Sequence, residues 1–117
     1  MRYFTLDEFD SPDLPGSGAF MHQEFLDKLD EARHVAQVPF IVNSGYRTPQ
    51  ANRRAGGKET SRHLTGGAGD LRATSSNRRY LIIAALVGVG FNRIGVADTF
   101  IHVDMDPTKA QNVMWLY

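Results

Sequence analysis

Residues 61–70 (SRHLTGGAGD) contain a histidine and a carboxylate, His63 and Asp70, with six residues between them. In an α-helix the two side chains would start about 10 Å apart along the axis, and in one extended strand about 23 Å apart on opposite faces. Neither geometry lets both side chains reach one metal ion at about 2 Å. A shared site therefore requires the chain to fold back, and the glycines of this stretch supply the conformational freedom for such a turn. An ordinary glycine-rich loop beside a surface histidine and aspartate accounts for this segment alone equally well.

Residues 100–104 (FIHVD) place a second histidine on a predicted strand. Alternation along a strand puts His102 and Asp104 on one face and Ile101 and Val103 on the other, in the core. A histidine held by apolar neighbours on a strand is a rigid platform for a ligand. A half-buried histidine without any ligand has the same pattern.

Together, His63, Asp70 and His102 form a set of two histidines and one carboxylate. A catalytic zinc site uses three protein ligands of this kind and leaves a fourth position for water. The ion lowers the pKa of that water and polarises a substrate carbonyl. A carboxylate that does not bind the metal is then needed to accept the proton of the water, and Asp98 and Asp104 are the candidates. We favour Asp98, which lies in the turn before the strand; the alternative for Asp104 is an outer partner that orients a metal ligand.

Residues 44–49 (SGYRTP) are the third segment whose side chains could take part in binding or catalysis. Arg47 lies in a predicted tight turn between a strand and a proline-started helix, so its backbone is well fixed. A guanidinium placed in this way can hold a substrate carboxylate with two parallel hydrogen bonds. An arginine that binds a structural carboxylate of the protein itself has the same sequence pattern.

Length and composition limit the possible classes of protein. The 117 residues suffice for one core, so we predict a single domain over residues 1–117. Thirteen basic and 13 acidic residues cancel, which predicts no nucleic-acid partner and no membrane partner. The absence of cysteine excludes thiol nucleophiles and cysteine zinc sites. We find no signal peptide, the longest apolar run is too short to span a membrane, and we expect a monomer.

Hydrophobic periodicity predicts an α+β domain with a small, mainly antiparallel sheet and helices packed on it. A capping-box pattern predicts a short helical turn from Thr5, and Ser76 is the predicted N-cap of the last helix. The predicted helices cover residues 19–36, 49–54 and 77–87. The predicted strands cover residues 39–43, 70–74, 91–96, 100–104 and 112–117.

Residues 44–49, 61–70 and 100–104, in this order, resemble the zinc D-Ala-D-Ala carboxypeptidase and L-alanyl-D-glutamate endopeptidase family, which shares its fold with the Hedgehog signalling domain. The likeness covers roughly residues 38–106, and the middle segment matches the family pattern S-x-H-x-x-G-x-A-x-D at every defined position. The family cuts peptide bonds in the stem peptides of bacterial cell walls, often at bonds that involve D-amino acids. The resemblance thus implies a peptidase with this fold.

Carried over residue by residue, the resemblance implies that His63, Asp70 and His102 bind Zn²⁺. It also implies that Arg47 contacts a substrate carboxylate or carbonyl, and that Ser61 lines the pocket near the metal.

The chain departs from the family at the position of the general base. Many members carry a Glu or Asp three residues before the last histidine, where this chain has Thr99, with Asp98 one residue further back. Either the loop is shifted by one residue, or the base comes from elsewhere, or activity is reduced.

The function expected from the sequence is a zinc peptidase that acts on peptidoglycan peptides. The endopeptidase is favoured over the D-Ala-D-Ala carboxypeptidase, because small phage-type relatives often lyse cells. The alternatives are a catalytically inactive zinc-binding module and a structural virion protein with the same fold. By analogy with free-standing phage members, we expect a phage lysin made in the host cytoplasm that degrades the cell wall.

Overall fold

The computed structural model describes residues 1–117 and confirms the α+β class. The three α-helices are α1 (Gln23–Ala36), α2 (Pro49–Arg54) and α3 (Ser76–Gly88). The five strands are β1 (Val42–Ser44), β2 (Ala68–Arg72), β3 (Arg93–Val96), β4 (Phe100–Asp104) and β5 (Val113–Leu116). They form one sheet in the order β1-β2-β4-β3-β5, in which only β5 runs parallel to its neighbour. No helix combines the length and the hydropathy that crossing a membrane requires.

The hydrophobic core lies between one face of the sheet and the helices α1 and α3. Leu29 of α1 and Leu86 of α3 are fully buried there, together with Ile101 and Val103 of β4. Because side chains alternate along a strand, the polar residues of β2 and β4 lie on the opposite face of the sheet. The fold therefore leaves that second face available for a site.

The first helix begins later than the predicted residue 19, because the preceding residues have other partners. Ser17–Phe20 form a 3₁₀ turn, and α1 starts at Gln23 with His22 as its N-cap in an extended conformation. The His22 N–H donates to the carbonyl oxygen of Gly66 at 3.0 Å, so the helix start is joined to the turn that precedes β2.

Four other predicted boundaries shift by a few residues, among them the start of β3, which lies at Arg93 rather than at residue 91. The first strand covers Val42–Ser44 rather than residues 39–43, and β2 runs over Ala68–Arg72 rather than residues 70–74. The helix α3 is capped by Ser75 rather than by Ser76, since the Ser75 hydroxyl accepts the N–H of Arg78 at 3.2 Å. The turn at Leu6–Phe9, the helix α2 and the strands β4 and β5 lie where the sequence predicted them.

The N-terminal segment is tied to α1 by one buried carboxylate. Asp30 accepts the backbone N–H groups of Arg2 at 3.1 Å and of Tyr3 at 3.0 Å. Further along this segment, the Phe9 carbonyl accepts the N–H of Tyr46 at 2.9 Å. The N-terminal residues thus connect α1 to the loop between β1 and α2.

We expect Asp30→Ala to lower the free energy of unfolding by about 1–3 kcal/mol at neutral pH, because two backbone N–H groups lose their acceptor. Burial acts to raise the pKa of Asp30, but the N–H groups of Arg2 and Tyr3 outweigh it and hold the pKa below 3.8. The pKa of Asp30 is thus lower in the folded protein than its usual value of 3.8, which applies to the unfolded chain. The stabilisation is therefore present above this value and is lost as the pH falls through the folded-state pKa.

Urea unfolding of the wild type and of Asp30→Ala between pH 7 and pH 3 measures this difference. The exposed neighbour Glu31 provides the control, since Glu31→Ala should change the stability by no more than about 0.5 kcal/mol. Equal urea midpoints for the wild type and Asp30→Ala at pH 7 would contradict the proposed role of Asp30.

Candidate metal centre

His63 is held at a fixed place by backbone contacts on both sides. It lies in the 3₁₀ turn Arg62–Thr65, where the Ser61 hydroxyl accepts the His63 N–H at 3.2 Å. The buried imidazole places Nδ1 at 2.7 Å from the carbonyl oxygen of Gly45. Because a carbonyl oxygen only accepts, Nδ1 donates this hydrogen bond, and Nε2 is the ring nitrogen that faces Asp70.

The loop that holds His63 has no room for a side chain at Gly45. A Cβ built there would lie 2.7 Å from the Cβ of Phe9. The same loop contacts the 3₁₀ turn a second time, because the Arg47 N–H donates to the His63 carbonyl at 2.9 Å. A glycine at this position therefore lets the loop approach closely enough to orient the imidazole.

Asp70 and His102 lie directly opposite each other on the antiparallel strands β2 and β4. The Oδ1 atom of Asp70 is 2.9 Å from Nδ1 of His102 and 3.3 Å from Nε2 of His63. One potential ligand atom from each of the three residues lies within 4.8 Å of the others, and such a group could hold a metal ion. The structure thus brings together the three residues that the sequence predicted as ligands.

The chain folds back between His63 and Asp70, as expected. Gly66 makes the turn in the left-handed region, with a φ of +80°. A Cβ at Gly66 would lie 2.3 Å from the carbonyl oxygen of Phe20, so the position is closed to larger residues. The strand β2 then starts at Ala68 and carries Asp70 to its place opposite β4.

Asp104 contacts the far side of the His102 ring. Its Oδ2 atom lies 2.7 Å from Nε2 of His102, while its Oδ1 atom accepts Nε–H of Arg93 at 2.7 Å and the N–H of Asp106 at 3.0 Å. Burial acts to raise the pKa of Asp104, but the hydrogen bonds from His102 and Arg93 outweigh it and lower the pKa to about 2. Both oxygens are therefore occupied, which favours the alternative that Asp104 is an outer partner that orients His102.

The charges within the cluster stabilise one another. Burial acts to raise the pKa of Asp70, but hydrogen bonds from His102 and His63 outweigh it and hold the pKa far below 3.8. Burial likewise acts to lower the pKa of His102, but the carboxylates of Asp104 and Asp70 outweigh it and raise the pKa. Asp70 is thus a carboxylate at neutral pH, as a metal ligand must be.

The donor set fits a zinc ion. Imidazole nitrogens and a carboxylate oxygen are ligands that zinc takes in catalytic sites. Each histidine also has the outer partner that such ligands usually have, namely the Gly45 carbonyl for His63 and the Asp104 carboxylate for His102. These partners leave Nε2 of His63 and Nδ1 of His102 to face Asp70.

Arg47 contacts a carboxylate of the protein. Its guanidinium donates to Asp70 Oδ2 at 3.1 Å, to the Ser44 hydroxyl at 3.0 Å and to the Asn52 side-chain oxygen at 3.3 Å. The alternative that the sequence left open, in which Arg47 binds a carboxylate of the protein itself, is therefore present in the fold. Since a guanidinium has five N–H groups, about two remain for a substrate.

The structure does not bring Asp98 to the cluster. This residue is exposed in the turn between β3 and β4, and its carbonyl oxygen accepts a hydrogen bond from Arg79 at 3.0 Å. Thr99 is exposed in the same turn. The assignment of Asp98 as the general base stays a prediction, and no contact with the cluster supports it.

A pocket of about 500 Å³ opens over the cluster, and both Ser61 and Arg47 line it. Sequence reasoning missed two aromatic residues of its wall, Trp115 and Tyr117. The Trp115 ring lies 5.7 Å from the His102 ring, because β5 pairs with β3. A glycine within a strand indicates that another group approaches closely, and Gly95 was such a signal in the sequence. A Cβ at this position would lie 2.7 Å from the Trp115 indole nitrogen.

A family model described as Peptidase M15 matches residues 2–104, a range that contains all three candidate ligands. A search of the curated proteins finds no match. The M15 family is zinc-dependent and supports a peptidase activity for this chain. Because the match spans most of the sequence, the resemblance is confirmed, and the chain belongs to the Peptidase M15 family.

Proposed function

We propose that this protein is a zinc-dependent peptidase that cleaves peptide bonds in the stem peptides of peptidoglycan. The observation that carries the proposal is the convergence of His63, Asp70 and His102 in a pocket of an M15 chain. The volume of about 500 Å³ lies in the range of sites for small ligands and short peptide segments.

When bound, the zinc ion would polarise the substrate carbonyl and lower the pKa of a water molecule. The protein's own part is to hold its ligands in place before substrate arrives. Gly45 and Asp104 fix the two imidazole rings, and the N–H groups of Arg47 without protein partners are available to stabilise negative charge on the substrate carbonyl oxygen. The aromatic rings of Trp115 and Tyr117 contribute apolar surface to the lining of the pocket.

Within this proposal, we favour an endopeptidase that cuts inside the stem peptide over a D-Ala-D-Ala carboxypeptidase. Incubation of purified muropeptides, followed by mass spectrometry of the products, separates the two directly. Loss of a terminal D-Ala alone would identify the carboxypeptidase. Lysis of bacterial walls by the purified protein would support a role as a phage lysin.

The second candidate is a catalytically inactive module that retains the zinc ion. It is favoured by the exposed Thr99, which stands at the position where many relatives carry the Glu or Asp that acts as general base. Tight zinc binding without cleavage of any wall peptide would identify this candidate.

We expect the wild type to bind one zinc ion per chain, and His63→Ala and Asp70→Ala to lose the metal and the peptidase activity together. Each substitution removes one of only three ligands, and a catalytic zinc site needs three. Zinc content after dialysis, measured by mass spectrometry, tests this expectation, with thermal unfolding as a check that the variants fold. His22→Ala is the matched control, because this exposed histidine lies outside the pocket. A wild type with no more zinc than His63→Ala would refute the metal site.

We expect Asp104→Asn to weaken zinc binding by about 10-fold to 100-fold, because it removes the carboxylate that orients His102. Zinc affinity from competition with a chelator measures this effect independently of turnover. Unchanged zinc affinity in Asp104→Asn would contradict the orienting role.

Asp98→Asn provides the comparison, since the exposed side chain of Asp98 lies outside the pocket. Unchanged zinc affinity is expected for this variant, and an unchanged kcat would show that Asp98 is not the general base. Loss of kcat with normal zinc affinity would instead show that Asp98 reaches the substrate and acts as the general base.

A further inference from the structure

The pocket carries an excess of positive charge, although the 13 basic and 13 acidic residues of the whole chain cancel. Two carboxylates line it, those of Asp70 and Asp104. The cationic lining residues are Arg47, Lys58, Arg62, Arg93 and Lys109.

Three of these cations already have carboxylate partners in the protein. Arg47 is paired with Asp70 at 3.1 Å, and Arg93 with Asp104 at 2.7 Å. Lys109 is paired with Asp106 at 3.3 Å. The charge of these three side chains is therefore used to stabilise the fold and the cluster.

Lys58 and Arg62 differ from the others, because neither side chain has a carboxylate partner or a hydrogen bond. Lys58 is exposed at the mouth of the pocket. Arg62 lies across Gly67, where a Cβ would come within 2.9 Å of its Nε. That Nε atom is buried and has no acceptor. A buried N–H group without an acceptor costs free energy, and the half-buried guanidinium group to which it belongs has no anionic partner in the protein.

We propose that Lys58 and Arg62 form an anion subsite that binds a carboxylate of the peptide substrate, next to the bond that is cleaved. The inference rests on the proposed peptidase function and names the substrate feature that this wall of the pocket recognises. The half-buried guanidinium of Arg62 and the exposed ammonium of Lys58 line the same pocket, where they can bind a carboxylate through charge-assisted hydrogen bonds. The carboxylate belongs either to an internal acidic residue of the peptide or to its C-terminus.

This assignment differs from the one that the sequence suggested. Arg47 was the expected carboxylate ligand, but Asp70, Ser44 and Asn52 already accept three of its hydrogen bonds. Its remaining N–H groups suit a single carbonyl oxygen. Recognition of a full negative charge is therefore assigned to the residues that have no partner, Lys58 and Arg62.

Three synthetic peptides test the proposal on the zinc-loaded protein. The first is L-Ala-γ-D-Glu-L-Lys-D-Ala-D-Ala, the second has the free α-carboxyl group of D-Glu as a carboxamide, and the third has a C-terminal carboxamide. We expect one of the two carboxamide peptides to have a kcat/KM about tenfold lower than that of the first peptide, because a charge-assisted hydrogen bond is lost. The loss should appear mainly as a higher KM. The peptide that shows the loss identifies which carboxylate the subsite binds.

Variants of the subsite link this preference to the two cations. Lys58→Gln, Arg62→Gln and the double variant should remove the preference for the free carboxylate, while Arg62→Lys should keep part of it. Arg53→Gln is the matched control, because it removes one exposed positive charge of α2 that does not line the pocket. Lys58→Gln changes an exposed side chain that has no hydrogen bond or ion pair within the protein, so it remains informative even when an Arg62 variant folds poorly.

The result distinguishes this inference from the proposed function. Cleavage of all three peptides at equal kcat/KM, or a preference that survives in the double variant, would overturn the subsite and leave the peptidase intact. If no peptide is cleaved, the peptidase proposal fails, and calorimetric titration of the same intact peptides still tests the subsite. Equal affinity for the three peptides in that titration would overturn it.

Discussion

The buried carboxylate of Asp70 is the group on which the rest of the site depends. It accepts from Arg47 on one oxygen and lies within 3.3 Å of both imidazoles through the other. A buried charge is costly unless it is paired and hydrogen-bonded, and this carboxylate has three such partners. Its position follows from the register of β2 against β4, because His102 is its direct neighbour across the two strands. A register shift by one residue would turn Asp70 toward the core.

The second ligand, His63, depends on a part of the chain that is distant in sequence. The N-terminal segment is tied to α1 by Asp30 and ends in the buried Phe9, which packs against Gly45. The Gly45 carbonyl in turn accepts the hydrogen bond that orients the His63 ring. The position of His63 on a short turn therefore depends on contacts that link the turn, through Gly45 and Phe9, to the N-terminal segment and the core.

The sequence was sufficient for the features that depend on local patterns. The α+β class, the strand at Phe100–Asp104 and the fold-back between His63 and Asp70 all follow from alternation, glycine content and residue type. It was insufficient where a distant partner decides the outcome. The start of α1 depends on the Gly66 carbonyl, and the aromatic wall depends on β5 pairing with β3. No local pattern identifies the partner in either contact, and Gly95 indicates only that some group approaches the strand closely.

The location of the polar residues follows from the way the sheet is covered. The helices α1 and α3 occupy one face, so the polar side chains of β2 and β4 face the other. The Trp115 and Tyr117 rings line the pocket over this second face, together with the turn that contains His63. Electrostatic interactions are stronger in such a partly enclosed pocket than in bulk water. A buried charge in the pocket therefore needs a partner, and the cations that the protein leaves without one favour an anionic ligand.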